Sequence, residues 1–155
     1  MKEATVGNWM TVEPLAVTPN ETLLAAHERM QEAGIRHLPV IEDWASRRVI
    51  GLMTLGAIRQ AELEVAALYR GSELRPLVSQ SKTVGELLTA DPITIAPNDP
   101  LAEAARLLLA HKLTALPVTD DDDRLLGIIT ESDIFGYLIE LQIPQKGAAP
   151  ESVAS

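Results

Sequence analysis

The 155-residue sequence has no cysteine, only two Trp, two Tyr and one Phe, no apolar run of membrane-spanning length and no long Lys/Arg cluster. Each absence removes a class of chemistry. Without cysteine there is no disulfide, thiolate metal site or cysteine nucleophile, and a reducing, cytoplasmic setting is expected. So few aromatics leave no row of stacking platforms for single-stranded nucleic acid. Lacking a run of about 18 apolar residues, the chain is not expected to cross a membrane. No basic stretch followed by an apolar one stands at the N-terminus, so a secretion signal is not expected. Basic residues number 13 against 22 acidic ones, for a net charge of -9. That balance makes nucleic acid and anionic membranes poor partners.

What is present is an apolar share of 46%, enough for a packed core, in a length that suits one domain or two small units sharing a core. The sequence repeats itself. Laid over residues 83–118 with a shift of 78, residues 5–40 place Thr5-Val6-Gly7 on Thr83-Val84-Gly85 and Pro19-Asn20 on Pro97-Asn98. Leu23 falls on Leu101, Ala26 on Ala104, and Leu38-Pro39-Val40 on Leu116-Pro117-Val118. Beyond Val40 the shift becomes 76, and Gly51, Thr54 and Ile58 fall on Gly127, Thr130 and Ile134. A hairpin loop absorbs a two-residue change at little entropic cost. A unit of about sixty residues is marginal alone, because so small a domain buries too little surface.

Both copies follow one pattern. Ala16-Val17-Thr18 and Ile93-Thr94-Ile95 are short β-prone segments. A Pro-Asn turn follows, then apolar residues at helical spacing (Leu23, Ala26, Met30; Leu101, Ala104, Leu108), with Gly34 placed to end the first helix. Strands are expected at Leu38–Ile41 with Val49–Thr54, and at Leu116–Thr119 with Leu125–Thr130. Second helices begin near Gly56 and Ser132. The fold class is α/β, two tandem β-α-β-β-α units, each led by a short helical turn at Val6–Met10 or Val84–Leu88. Residues 1–60 form the first domain, 61–82 a helical extension and linker, 83–143 the second domain, and 144–155 a disordered tail.

The ordered set Thr5-Val6-Gly7-Asn8-Trp9-Met10-Thr11, Pro14, Ile35-Arg36-His37-Leu38-Pro39-Val40 and Gly51-Leu52-Met53-Thr54 resembles a CBS domain, the cystathionine-β-synthase type. The second copy resembles it more closely, through Leu116-Pro117-Val118 and Gly127-Ile128-Ile129-Thr130-Glu131-Ser132-Asp133-Ile134. The resemblance covers about residues 3–141. It implies a CBS pair, or Bateman module, with pseudo-twofold packing of the two domains and further homodimerisation.

Enzyme chemistry finds little footing. His27, His37 and His111 form no two-histidine zinc helix, no phosphate-cradling Gly-rich loop is present, and no serine lies in a nucleophile elbow. Asp120-Asp121-Asp122-Asp123 looks like a cation magnet, but it lies between two strands where Asp serves a turn, without the spacing a calcium loop needs. Neither a catalytic residue nor a metal site is expected.

The informative set is Thr130, Asp133, Arg36 and His37. A carboxylate at the start of a helix can accept two hydrogen bonds from ribose hydroxyls, or it can cap free amides there. Gly127-x-x-Thr130-x-x-Asp133 is similar to the family's ribose-binding signature. Arg36 offers a bidentate fork for phosphate and His37 a second donor. The resemblance implies that ribose contacts come from one domain and phosphate contacts from the other. Ala57 stands where the second copy has Asp133, and Thr114-Ala115 stand where the first has Arg36-His37. One competent cleft and one degenerate cleft are therefore expected, with adenine against Asp91-Pro92-Ile93-Thr94 and Leu116, and Arg59 and Lys112 adding positive charge. The function implied is a regulatory module for AMP, ADP or ATP that signals to a partner protein. Two alternatives stay open: a dimerisation or docking module without nucleotide, and an S-adenosylmethionine binder.

Overall fold

The computed structural model describes residues 3–69 and 80–143. The linker expected over 61–82 lies in part, and the tail expected over 144–155 lies wholly, outside the described residues. In chain order the elements are α1 (Val6–Trp9), β1 (Thr11–Val12), α2 (Leu23–Ala33), β2 (His37–Ile41), β3 (Val49–Thr54) and α3 (Leu55–Tyr69). The second copy contributes α4 (Val84–Leu87), α5 (Leu101–His111), β4 (Ala115–Thr119), β5 (Leu125–Thr130) and α6 (Glu131–Gln142). Helices α3 and α6 start one residue before the expected Gly56 and Ser132. The β-prone segments at 16–18 and 93–95 form single parallel bridges, Val17 with Val40 and Ile95 with Val118, rather than full strands.

The two copies have matching hairpins. β2 pairs antiparallel with β3, and β4 with β5, each with an irregularity near the turn, at Val40/Ile41 and Val118/Thr119. Alternation along Val49–Thr54 puts Val49, Gly51 and Met53 inward, as expected for a strand with one face on the core. Gly34 ends α2 in the left-handed conformation (φ 67°) that glycine adopts without penalty. Lys112 occupies the same place after α5, also left-handed at φ 55°, where a Cβ is strained.

The leading segments are exchanged between copies. Val6 of α1 is fully buried in the second core with Ile95, Leu101, Leu116, Val118 and Ile129. Val84 of α4 is buried in the first core with Leu23, Met30, Leu38, Val40, Met53 and Ile58. Equivalent backbone bonds anchor both: Val6 N–H donates to Asp99 O at 2.8 Å and Val84 N–H to Glu21 O at 2.9 Å. β1 then adds to the second sheet, Thr11 facing Ile128 and Val12 facing Gly127. Gly127 admits it, since a Cβ there would stand 2.7 Å from Thr11 O. A third small cluster, Ala16, Ile41, Val49 and Leu125, joins the copies where the hairpins meet.

Among the described residues, no helix is long and apolar enough to cross a membrane.

Candidate functional site

Strands β3 and β5 end at Thr54 and Thr130, and α3 and α6 begin at the next residue. The preceding segments are tied in the same way in both copies: Leu55 N–H donates to Arg36 O and Glu131 N–H to Thr114 O. These equivalent strand-to-helix corners face one cavity of about 1140 Å³. Its wall includes Arg36, His37, Thr54 and Arg59 from the first copy, Lys112, Thr114, Thr130 and Glu131 from the second, and Thr11, Glu13, Pro14 and Leu15 from the exchanged segment. Both copies' corners thus open onto the same cavity.

The charge of the wall contrasts with the chain's -9. Arg36, Arg59 and Lys112 stand against Glu13 and Glu131. Arg29, Arg48 and Arg106 are each paired with a glutamate, Glu21, Glu42 and Glu103 respectively. Among the described residues the three cavity cations have no such partner. An anion entering the cavity therefore meets guanidinium and ammonium groups that need not first give up a carboxylate.

His37 makes a side-chain contact across the cavity between the copies, its Nε2 lying 2.6 Å from Thr114 Oγ1. Burial holds the imidazole pKa below the ordinary histidine value; nearby Glu131 pulls it up and Arg36 pushes it down. The ring is thus favoured as neutral near pH 7.

Asp133 caps its own helix. Its Oδ2 accepts from the Thr130 N–H at 2.8 Å and from the Thr130 hydroxyl at 3.0 Å, an arrangement of the capping-box type. In the first copy Ala57 offers no carboxylate, and only the other half of such a box remains, Thr54 Oγ1 accepting from the Ala57 N–H at 3.0 Å. Asp120 organises its turn, its Oδ1 accepting from the N–H groups of Asp122 and Arg124, both at 2.9 Å.

Arg36, His37 and Thr130 of the expected set line the cavity; Asp133, Ile93, Thr94 and Leu116 are not part of its wall. Leu116 is fully buried in the second core, because every position of β4 is covered. Ile93 packs on the same core. The expectation of adenine against 91–94 failed to anticipate the exchange: the leading segment that pairs beside Thr130 is the first copy's, so Thr11–Leu15 stand there. A glycine inside each buried strand, Gly51 and Gly127, was the available sign of a close backbone approach.

The fold and the cavity together define a pseudo-twofold pair of small α/β modules sharing one interfacial space. The CBS domain model matches residues 6–64 and 84–140, and the chain belongs to the CBS-domain family. It is 31% identical to the chloroplastic CBS domain-containing protein CBSX2 of Arabidopsis thaliana over 154 residues, 89% of this chain and 65% of that protein. The crystal structure of CBSX2 in complex with AMP superposes with a TM-score of 0.72 at 30% identity, covering 90% of this chain and 98% of the other. The inosine-5'-monophosphate dehydrogenase of Korarchaeum cryptofilum is 31% identical over 121 residues, 78% of this chain but 21% of that enzyme. The chain therefore spans less than two thirds of either relative. The CBS pair of protein MJ0100, solved with 5'-methylthioadenosine and S-adenosyl-L-methionine, shares the fold at 23% identity with a TM-score of 0.73, covering 91% of this chain and all of that one.

Proposed function

We propose that this chain is a non-catalytic regulatory module that binds an adenine nucleotide, AMP, ADP or ATP, in the cavity between its copies and signals occupancy to a partner protein. The observation that carries this is the trio Arg36, Arg59 and Lys112, without a salt-bridge partner among the described residues, on the wall of one cavity in an otherwise acidic chain. The AMP bound by CBSX2 supports the ligand class. The phosphate is assigned to Arg36 and His37, aided by Arg59 and Lys112. The ribose is assigned to Thr130 on the cavity wall and to Asp133, bonded to Thr130 just outside that wall, whose Oδ2 already serves the helix and whose Oδ1 is left for a hydroxyl. The base is assigned to the side closed by Thr11–Leu15. S-adenosylmethionine, with its positive sulfonium, fits these three cations less well.

Isothermal titration calorimetry against AMP, ADP, ATP and S-adenosylmethionine tests this. About one nucleotide per chain is expected, at least tenfold weaker in Arg36→Ala, about 1.4 kcal/mol. No heat and no thermal stabilisation with any of the four would overturn it.

The same module is proposed to be a homodimer. Helix α6 and its C-cap leave Phe135, Leu138, Ile139 and Ile143 exposed, by 46 to 59%, at spacings of three, four and eight residues that place them on one side. A second copy is the proposed occupant of that face. Light scattering is expected to report a dimer for the wild type and a monomer for Ile139→Glu; a wild-type monomer at high concentration excludes it.

A further inference from the structure

We propose that the hydrogen bond between His37 and Thr114 is a latch between the two copies, which an anionic ligand must open to engage the imidazole through Nε2. Thr114 thereby acts as a positioning residue for a site to which it contributes no charge. This rests on the nucleotide reading above and adds its coupling to the fold.

The two residues lie 77 positions apart, and both belong to the cavity wall. A neutral imidazole has one N–H and one lone pair. With Nε2 held at 2.6 Å from Thr114 Oγ1, that nitrogen is engaged and not free for a phosphate oxygen. The charges facing the ring are Glu131 at the start of α6 and Arg36 beside it on the chain. A phosphate entering next to Arg36 adds negative charge, favours the imidazolium and competes with the threonine hydroxyl for its N–H. The latched state therefore binds the anion less well than the unlatched one. A ligand moves an equilibrium only through such a difference in affinity.

Thr114 is also where the motion can go. Its carbonyl accepts the N–H of Glu131, the first residue of α6, and it immediately precedes β4. Release of its side chain loosens the segment that holds the N-terminus of α6. In the first copy, the Thr114 position is filled by Arg36 itself, so one side of the pseudo-twofold axis presents the cation and the other the hydroxyl.

The test follows the His37 imidazole by NMR through a pH titration, in wild type, Thr114→Val and Thr114→Ser, with and without AMP or inorganic phosphate, and measures AMP affinity by calorimetry. Loss of the latch in Thr114→Val is expected to shift the His37 titration in the free protein and to tighten AMP about three- to tenfold, the equivalent of one ordinary hydrogen bond. Thr114→Ser, which keeps the hydroxyl, is expected to match wild type. AMP should raise the His37 pKa in all three. If AMP binds wild type but Thr114→Val has the same affinity and an unchanged His37 titration, the latch is wrong and the nucleotide site stands. If AMP does not bind at all, the nucleotide reading fails. Inorganic phosphate then decides the latch alone: a larger His37 response in Thr114→Val than in wild type upholds it, and equal responses refute it.

Discussion

Val6 and Val84 occupy reciprocal places: each is fully buried in the core built by the other copy's helix and strands. Neither sequence repeat completes its own core. The packed unit is therefore offset from the repeat by one leading segment, and the cavity between the copies inherits that arrangement through Thr11–Leu15.

Val6→Ala and Val84→Ala are each expected to cost about 2–3 kcal/mol, the lost transfer energy of two methyls plus a residual cavity. Because each substitution damages the partner copy's core, urea unfolding should remain a single transition in both variants. Two separated transitions in either one would mean that the copies fold independently despite the exchange.

Gly127→Ala is expected to be more damaging than Gly51→Ala. At Gly127 an added Cβ would lie 2.7 Å from the Thr11 carbonyl oxygen, a backbone atom held in the β1–β5 ladder. At Gly51 it meets the terminal methyl of Leu88 at 2.6 Å, which a rotamer change can move. A loss of about 2–3 kcal/mol at Gly127 and about 1 kcal/mol at Gly51 is expected from overpacking. Thermal denaturation of the two variants compares them, and equal losses would contradict the assigned closeness of β1.

These contrasts explain how much was readable beforehand. The register of Leu38-Pro39-Val40 on Leu116-Pro117-Val118, and of Gly51 on Gly127, carried the two hairpins and their helices to within a residue or so. A repeat states which residues are alike, however, and not which copy packs on which. Val6 and Val84 look the same whether they serve their own core or the other, so the base side of the site was sought at Ile93 and Thr94. The His37–Thr114 contact spans 77 residues and has no local pattern. Asp133 as a cap and Asp133 as a ribose ligand have the same sequence, and only coordinates place Thr130's two donors on one oxygen.

Acidification is expected to destabilise the fold from near neutrality, through His37. Its folded-state pKa is lowered by burial, so below about pH 6.5 the unfolded chain takes a proton that the folded one resists. Stability is full above that value and falls as pH drops toward the folded-state pKa. Glu21 acts in a separate, more acid range. Burial alone would raise it, but hydrogen bonds from Arg29 and the Thr18 N–H bring it below the ordinary glutamate value. Urea midpoints between pH 7.5 and 5.5 should decline in wild type and less steeply in His37→Gln; identical slopes would remove His37 as the cause.

Lys112 sets stability against charge. It holds a left-handed backbone at φ 55°, where the first copy has Gly34 at φ 67°. Lys112→Gly is expected to relieve that strain and raise stability by about 0.5–1 kcal/mol, the gain being trimmed by glycine's freedom in the unfolded chain. It also removes one of the three cavity cations, so AMP affinity should fall as Tm rises. A variant that gains stability and keeps full affinity would remove Lys112 from the phosphate side.

Asp133→Ala separates a cap from a ligand contact. Asp133 takes both Thr130 donors on Oδ2, and loss of a cap ordinarily costs about 1 kcal/mol. The first copy shows the corner without the carboxylate: with Ala57 in the equivalent place, the Thr54 hydroxyl accepts the N–H three residues on. Thr130 already accepts the Asp133 N–H in the capping box and keeps that bond once the carboxylate is gone, so the stability loss should stay under about 1 kcal/mol. A ribose diol has no such substitute for the missing oxygens. AMP affinity is therefore expected to drop at least tenfold while the midpoint of urea unfolding barely moves. A stability loss with unchanged affinity would leave Asp133 as a cap alone and would shift the ribose to Thr130 and the backbone around it.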